Sequence, residues 1–255
     1  MGAGHAHALY VHEHSPVHAL PPHVKVVATV AFVVTVAVTP APAVAVFAVA
    51  AIVLAAVARL ARVPFRFVAA RLVVVVPFLL VASMVPFVAS GERTEVLGVS
   101  VSAEGLAAGF GIAARATLGA SASILLAATT EVPRLLRGLE RLRVPPVLTQ
   151  IATFMVRYLE VVAGEFGRMR TAMVARGHDP RWLWQARPVA AATGALFVRS
   201  YERGERVHAA MLARGYAGTM PQLDEEPDVA PTTWLRALAP DAILVTALLT
   251  WMVLA

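Results

Sequence analysis

The sequence predicts an all-α polytopic membrane protein with about five transmembrane helices and a cytoplasmic helical region between the fourth and fifth. Three observations carry this. Of 255 residues, 58% are hydrophobic and 15% charged, where an ordinary soluble domain has about 25% charged residues. The apolar residues gather in runs that approach the roughly 20 residues a helix needs to cross a bilayer. The charges gather between those runs, and all 22 basic residues except Lys25 are arginine.

The first 23 residues hold six of the eight histidines and several prolines. They lack the continuous apolar stretch of a secretory signal, so targeting is expected through the first span. That span reads Val26 to Thr39, extendable back to Pro22, and Pro40 and Pro42 end it because proline removes a donor and restricts the residue before it. The second run is Ala43 to Ala58. Arg59, Arg62, Arg66 and Arg71 are expected in a short loop after it. The third run, Leu72 to Ala89, carries Pro77 and Pro86 and is expected to kink. A polar stretch, Ser90 to Glu104, leads to the fourth run, Gly105 to Thr129. That run opens with Gly105 and Gly109, which let helices approach closely in lipid. A last run, Ala242 to Leu254, extendable back to Leu238, ends the sequence.

Loop charge sets the orientation. The four-arginine loop belongs in the cytoplasm and the acidic loop after the third run outside. The N-terminus is therefore inside, in the cell inner (cytoplasmic) membrane. A net charge of +6 reflects this bias and not nucleic-acid binding. Cysteine is absent, which excludes disulfides and thiol chemistry. The resulting division is 1–23 as a His-rich tail, 24–129 as four spans, 130–237 as the cytoplasmic helices and 238–255 as the last span.

The block from Thr130 to Ala239 holds 15 arginines and 11 acids and reads as helical. Pro133 sits near the start of a helix from Glu131 to Leu142, ended by Val144-Pro145-Pro146. A longer helix, about Val147 to Arg176, places Tyr158, Val161, Val162 and Phe166 on one face, with Arg157, Glu160 and Arg168 elsewhere. Another runs from about Pro188 to Arg214. Gly177 and Gly215 end these two, and an acidic linker, Asp224 to Asp228, follows.

The two helix ends repeat. Arg168 to His178 reads RMRTAMVARGH and Arg206 to Tyr216 reads RVHAAMLARGY, in register at Arg, Ala-Met and Ala-Arg-Gly. One such end is ordinary, since a cation suits the last turn and glycine the position after it. Eleven residues repeated at two helix ends point to two matching docking knobs, each offering a guanidinium fork to a carboxylate.

At these residues the chain resembles the T subunits of energy-coupling-factor (ECF) transporters, whose signature is a pair of Ala-Arg-Gly motifs ending two cytoplasmic coupling helices. Here they are Ala175-Arg176-Gly177 and Ala213-Arg214-Gly215. His18-Ala19-Leu20 with Pro22 and Lys25 resembles the family's entry to the first helix. Thr129-Thr130 followed by Leu135, Leu139 and Leu142-Arg143-Val144-Pro145 resembles the start of its coupling region. Leu196 to Arg203, leading into Ala210 to Tyr216, is similar to the cobalt-type branch, called CbiQ. The resemblance implies a non-catalytic subunit without a cofactor of its own. It would link two ATP-binding subunits, gripped through Arg176 and Arg214, to a separate substrate-binding membrane subunit that holds cobalt or nickel. The alternative keeps the role and changes the cargo to a vitamin such as biotin or riboflavin.

The residues agree with that division of labour. The sequence has no G-x-x-x-x-G-K-[ST] and one lysine, so ATP is not expected to bind it through a phosphate-cradling loop. Two arginine-tipped ends also disfavour an ordinary permease with a single coupling loop. No nucleophile–base or paired-carboxylate arrangement supports a membrane enzyme. His5, His7, His12 and His14 are candidate metal ligands, since imidazole suits Co and Ni, beside the plainer reading of a solvated tail. His178 and His208 read as helix-end or surface residues. Arg115, near the middle of the fourth span, is functional, paired with carbonyls at a bent helix, or nearer the cytoplasm if the span is shifted.

Overall fold

The computed structural model describes residues 9–89, 93–96, 99–178, 186–218 and 229–254. They form helices plus one short β-ribbon, and divide into two compact units. One comprises Leu9–Leu142 with Asp228–Ala255, and the other includes Arg143–Pro227.

The first unit is a membrane bundle. Its helices are α1 (Pro16–Ala19), α2 (Pro22–Val38), α3 (Val44–Leu60), α4 (Phe65–Arg71), α5 (Val76–Val88), α6 (Ala103–Thr129), α7 (Val132–Arg141) and α10 (Pro231–Leu254). Phe32 and Val36 of α2, Val46 and Phe47 of α3, Leu118 and Ala122 of α6, and Leu244 and Leu248 of α10 make one buried core. Outward, Val34, Ile52, Leu80 and Leu249 are exposed. In water these would be a liability; in a bundle whose solvent is lipid they are the expected surface.

Helix α5 packs on α6 through small residues. A Cβ at Gly109 would stand 2.6 Å from the Ala82 carbonyl oxygen, and one at Gly105 2.8 Å from Pro86 Cα. Without a hydrophobic drive between helices in lipid, this closeness supplies the van der Waals contact that holds them together. The polar stretch before α6 forms an antiparallel ribbon of β1 (Arg93–Val96) and β2 (Val99–Ser102). The Ser102 hydroxyl then caps α6 by accepting from the Gly105 N–H at 3.2 Å.

Two expectations need correction here. The four arginines do not share a loop. The third span starts at Phe65 and runs to Val88, so Arg66 and Arg71 are helical. Arg71 lies 3.4 Å over the Phe67 ring and donates to the Phe67 carbonyl at 3.2 Å, which satisfies the guanidinium within the helix. The span also tightens into a 3₁₀ turn at Leu72–Val75, just before Pro77, whose missing N–H leaves the Val73 carbonyl without its helical donor.

Among the described residues four helical segments are long and apolar enough to cross a membrane: Phe65–Val88, Ala103–Thr129, Pro146–Ala175 and Pro231–Leu254. Helices α2 and α3 are apolar but 17 residues each, about 26 Å long at 1.5 Å per residue.

The second unit is built on α8 (Pro146–Ala175) and α9 (Arg187–Leu212). Gln150 near the start of α8 meets Tyr216 beyond the end of α9, while Glu165 farther along α8 meets Arg199 and Arg203. The pair is therefore antiparallel. The face of α8 turned inward is Phe154, Tyr158, Val162 and Glu165; Val161, expected on that face, is 41% exposed. At 100° per residue Phe154, Tyr158 and Val162 each step round by about 40°, so Val161 falls about 100° from Val162 and about 60° from Tyr158, at the edge of the face. The acidic linker at 224–228 lies outside the described residues.

Candidate functional site

The repeated ends of α8 and α9 adopt one backbone geometry. In the first, the Gly177 N–H donates to the Val174 carbonyl at 2.9 Å and the His178 N–H to the Met173 carbonyl at 3.0 Å. In the second, Gly215 N–H donates to Leu212 and Tyr216 N–H to Met211, both at 3.0 Å. This is the Schellman arrangement, in which the residue after the cap takes a left-handed conformation. Gly177 has φ +78° and Gly215 φ +82°, values glycine adopts without steric cost.

The consequence falls on the arginines. A closed Schellman end needs no side chain to cap its carbonyls, so Arg176 and Arg214 are left over. Both are exposed, and neither makes a side-chain hydrogen bond or ion pair among the described residues. Because α8 and α9 run antiparallel and Tyr216 bonds to Gln150, the tips face opposite ends of the unit. At 1.5 Å per residue, roughly 40 Å of helix separates them. Ala175 and Ala213 are also exposed. They keep each last turn slim, so the guanidinium projects unobstructed.

Behind the tips the helices are tied at two points. Glu165 is 8% exposed and receives Arg199 Nη1 on Oε1 and Arg203 Nη2 on Oε2, both at 3.2 Å. The Tyr216 hydroxyl donates to Gln150 Oε1 at 2.6 Å, and Gln150 Nε2 to the Gly218 carbonyl at 3.1 Å. Between the ties lies a cleft of about 620 Å³ lined by Phe154, Tyr158, Val207 and Met211. Glu202 and Arg206, an i, i+4 pair on α9, meet loosely at 3.9 Å and are exposed. His208 is exposed, and His178 is half-buried beside its tip.

The remaining expected residues lie elsewhere. His5 and His7 are outside the described residues. His12 and His14 are exposed. Among the described residues no three His, Cys, Asp or Glu side chains gather to hold a metal. His18 is buried and structural. Its Nε2 donates to the Val11 carbonyl at 3.1 Å, which leaves Nδ1 to accept from the Ser15 hydroxyl at 2.7 Å. Burial pushes its pKa below the usual histidine value. Arg115 pairs with a carbonyl, one of the readings its position allowed. Nη2 donates to the Thr39 carbonyl at 2.6 Å, closing the end of α2.

Two residues escaped the sequence reading. Glu165 is one; an acid on the inward stripe of an otherwise apolar helix was the available signal. Asp241 is the other. It is 7% exposed inside α10, its Oδ2 has no hydrogen-bond partner among the described residues, and it lines a cavity of about 160 Å³ with Lys25 and Thr29. The last apolar run was read as starting at Ala242, one residue beyond it.

Bundle and tips together define a class: a polytopic helical membrane protein carrying a helical module that displays two matched guanidinium ends. A family model described as CbiQ, cobalt transport protein, matches residues 13–224, and the chain belongs to that family. It is 34% identical over 172 residues to the cobalt transport protein CbiQ of Rhodobacter capsulatus, covering 67% of this chain and 68% of that one. Over 120 residues it is 28% identical to a fused cobalt transport protein CbiMQ of Methanocorpusculum labreanum, covering 47% of this chain and 20% of the fusion. An uncharacterized protein of Methanocaldococcus jannaschii is 27% identical over 133 residues, about half of each chain.

Proposed function

We propose that this chain is the transmembrane coupling (T) subunit of an ECF-type importer of cobalt, or of the chemically close nickel. It couples two ATP-binding subunits, docked at Arg176 and Arg214, to a separate substrate-binding membrane subunit. The observation that carries this reading is the pair of identical, exposed arginine–glycine ends at opposite ends of one antiparallel helix pair. A single knob would serve one partner. Two matched knobs roughly 40 Å of helix apart suit two matched partners. The cobalt cargo is supported by the family, and a second transport polypeptide by the name of the fused relative. The arginine-bearing loop between α3 and α4 supports an inner-membrane orientation with the N-terminus inside.

The test is Arg176→Ala combined with Arg214→Ala, co-expressed with the candidate ATP-binding subunits. The expected outcome is normal membrane insertion, loss of ATPase co-purification and at least a 100-fold fall in ATP-driven cobalt uptake. Retained co-purification with normal uptake contradicts the reading.

A further inference from the structure

Docking at two tips moves cargo only if the tips act as one body, and the structure holds a joint suited to that. Glu165 sits on α8, 11 residues before Arg176. Its carboxylate is nearly enclosed, with the side chain 11% exposed. One guanidinium of α9 meets each oxygen at 3.2 Å, from residues one turn apart. Each oxygen is thus engaged by a separate cation, so α9 can neither slide along α8 nor turn about its own axis without breaking an ion pair. The second tie differs in kind. Tyr216 follows Gly215 directly, its N–H closes the Arg214 tip on Met211, and its hydroxyl reaches Gln150 on α8 at 2.6 Å. One residue therefore fastens the second tip to the helix that carries the first. Charge is spent at the enclosed joint and neutral hydrogen bonds at the outer tie, with an apolar cleft between them.

Resting on the coupling reading above, we infer that Glu165 is a positioning residue: gripped by Arg199 and Arg203, it makes α8 and α9 a single lever, so that displacement of either arginine tip is delivered to both helices. Without that joint the tips still dock and ATP is still hydrolysed, but the displacement is lost within the α8–α9 pair. Buried charge pairs are weak evidence for stability in themselves. A carboxylate held by two cations one turn apart on a neighbouring helix does fix a relative position, because each oxygen is tied to its own guanidinium.

The experiment uses the full membrane complex with its ATP-binding subunits and measures three quantities: ATPase co-purification, ATP hydrolysis, and cobalt(II) taken up per ATP hydrolysed. Glu165→Gln keeps the shape but sets an amide donor against one guanidinium. Arg199→Gln changes a side chain that is 61% exposed, so folding is not at risk. The expected result is unchanged co-purification, retained hydrolysis, and uptake per ATP down about tenfold in Glu165→Gln and less in Arg199→Gln. Exchanging the charges, Glu165→Arg with Arg199→Glu and Arg203→Glu, restores part of it. Unchanged uptake per ATP in both single variants overturns the inference. So does loss of co-purification in either, since the residues would then act in docking. Arg176→Ala with Arg214→Ala runs beside them. If that control keeps its ATPases and imports normally, the docking reading fails; if it loses them while Glu165→Gln imports normally, only the joint fails.

Discussion

The two units treat cations at helix ends in opposite ways. In the membrane bundle Lys25 and Arg115 are consumed. The only lysine, Lys25, donates to the Thr129 carbonyl at 2.7 Å and the His18 carbonyl at 3.4 Å, and the Val11 N–H takes the neighbouring Ala128 carbonyl at 2.9 Å. Together they close the end of α6. Arg115 closes α2. Where water is excluded, each open carbonyl costs several kcal/mol in hydrocarbon, so a cation there is a plug. In the second unit the ends close themselves through glycine, and Arg176 and Arg214 have no side-chain partner among the described residues. A residue type that reads the same in the sequence is a seal in one region and a display in the other. What separates them is whether the helix end beside the cation is left open or closes itself.

The comparison is most sharply broken by neutralising one cation from each region. Lys25→Met should destabilise the bundle by about 2–3 kcal/mol, since hydrogen bonds from charged groups contribute about that much and two buried carbonyls lose their donor. Arg176→Met should change stability by less than about 0.5 kcal/mol, as for other surface substitutions. Thermal unfolding in one detergent measures both. Equal losses would show that the tips are structural as well.

A smaller effect sharpens the bundle side. His18 is neutral in its buried pair of hydrogen bonds and its pKa lies below 6.5. The folded state then binds fewer protons than the unfolded one in that window. Its contribution is complete above pH 6.5 and is lost as the pH falls through the folded value. The melting temperature should therefore drop between pH 7.5 and 5.5, by a margin that His18→Gln reduces. An identical slope in that variant assigns the effect to other groups.

Much of this was legible along the chain. Hydropathy and proline placed α2, α3, α6 and α10 to within a few residues, except the start of α10, because long apolar runs bounded by breakers permit few alternatives. The glycines that close α8 and α9 were legible to the residue, and the helix ends to within two, since Ala-Arg-Gly combines a helix former, a last-turn cation and a left-handed position. What stayed hidden depended on partners distant in sequence. Arg115 finds Thr39 across 76 residues, and Glu165 finds Arg199 and Arg203 across 34 and 38. No local pattern announces such pairs. The start of the third span was hidden for another reason. Four arginines between apolar runs resemble a loop by charge, while Phe67 absorbs Arg71 and lets the helix continue.

The central claim is that Arg176 and Arg214 are displayed to two ATP-binding partners. Because the chain has no cysteine, single reporters can be placed beside each tip on a clean background, as Val174→Cys and Leu212→Cys, both at exposed positions. Photo-crosslinking from these in native membranes should join each reporter to an ATP-binding subunit, in amounts lowered by Arg176→Ala and Arg214→Ala respectively. Crosslinks to lipid alone, or to other parts of this chain alone, would contradict the account.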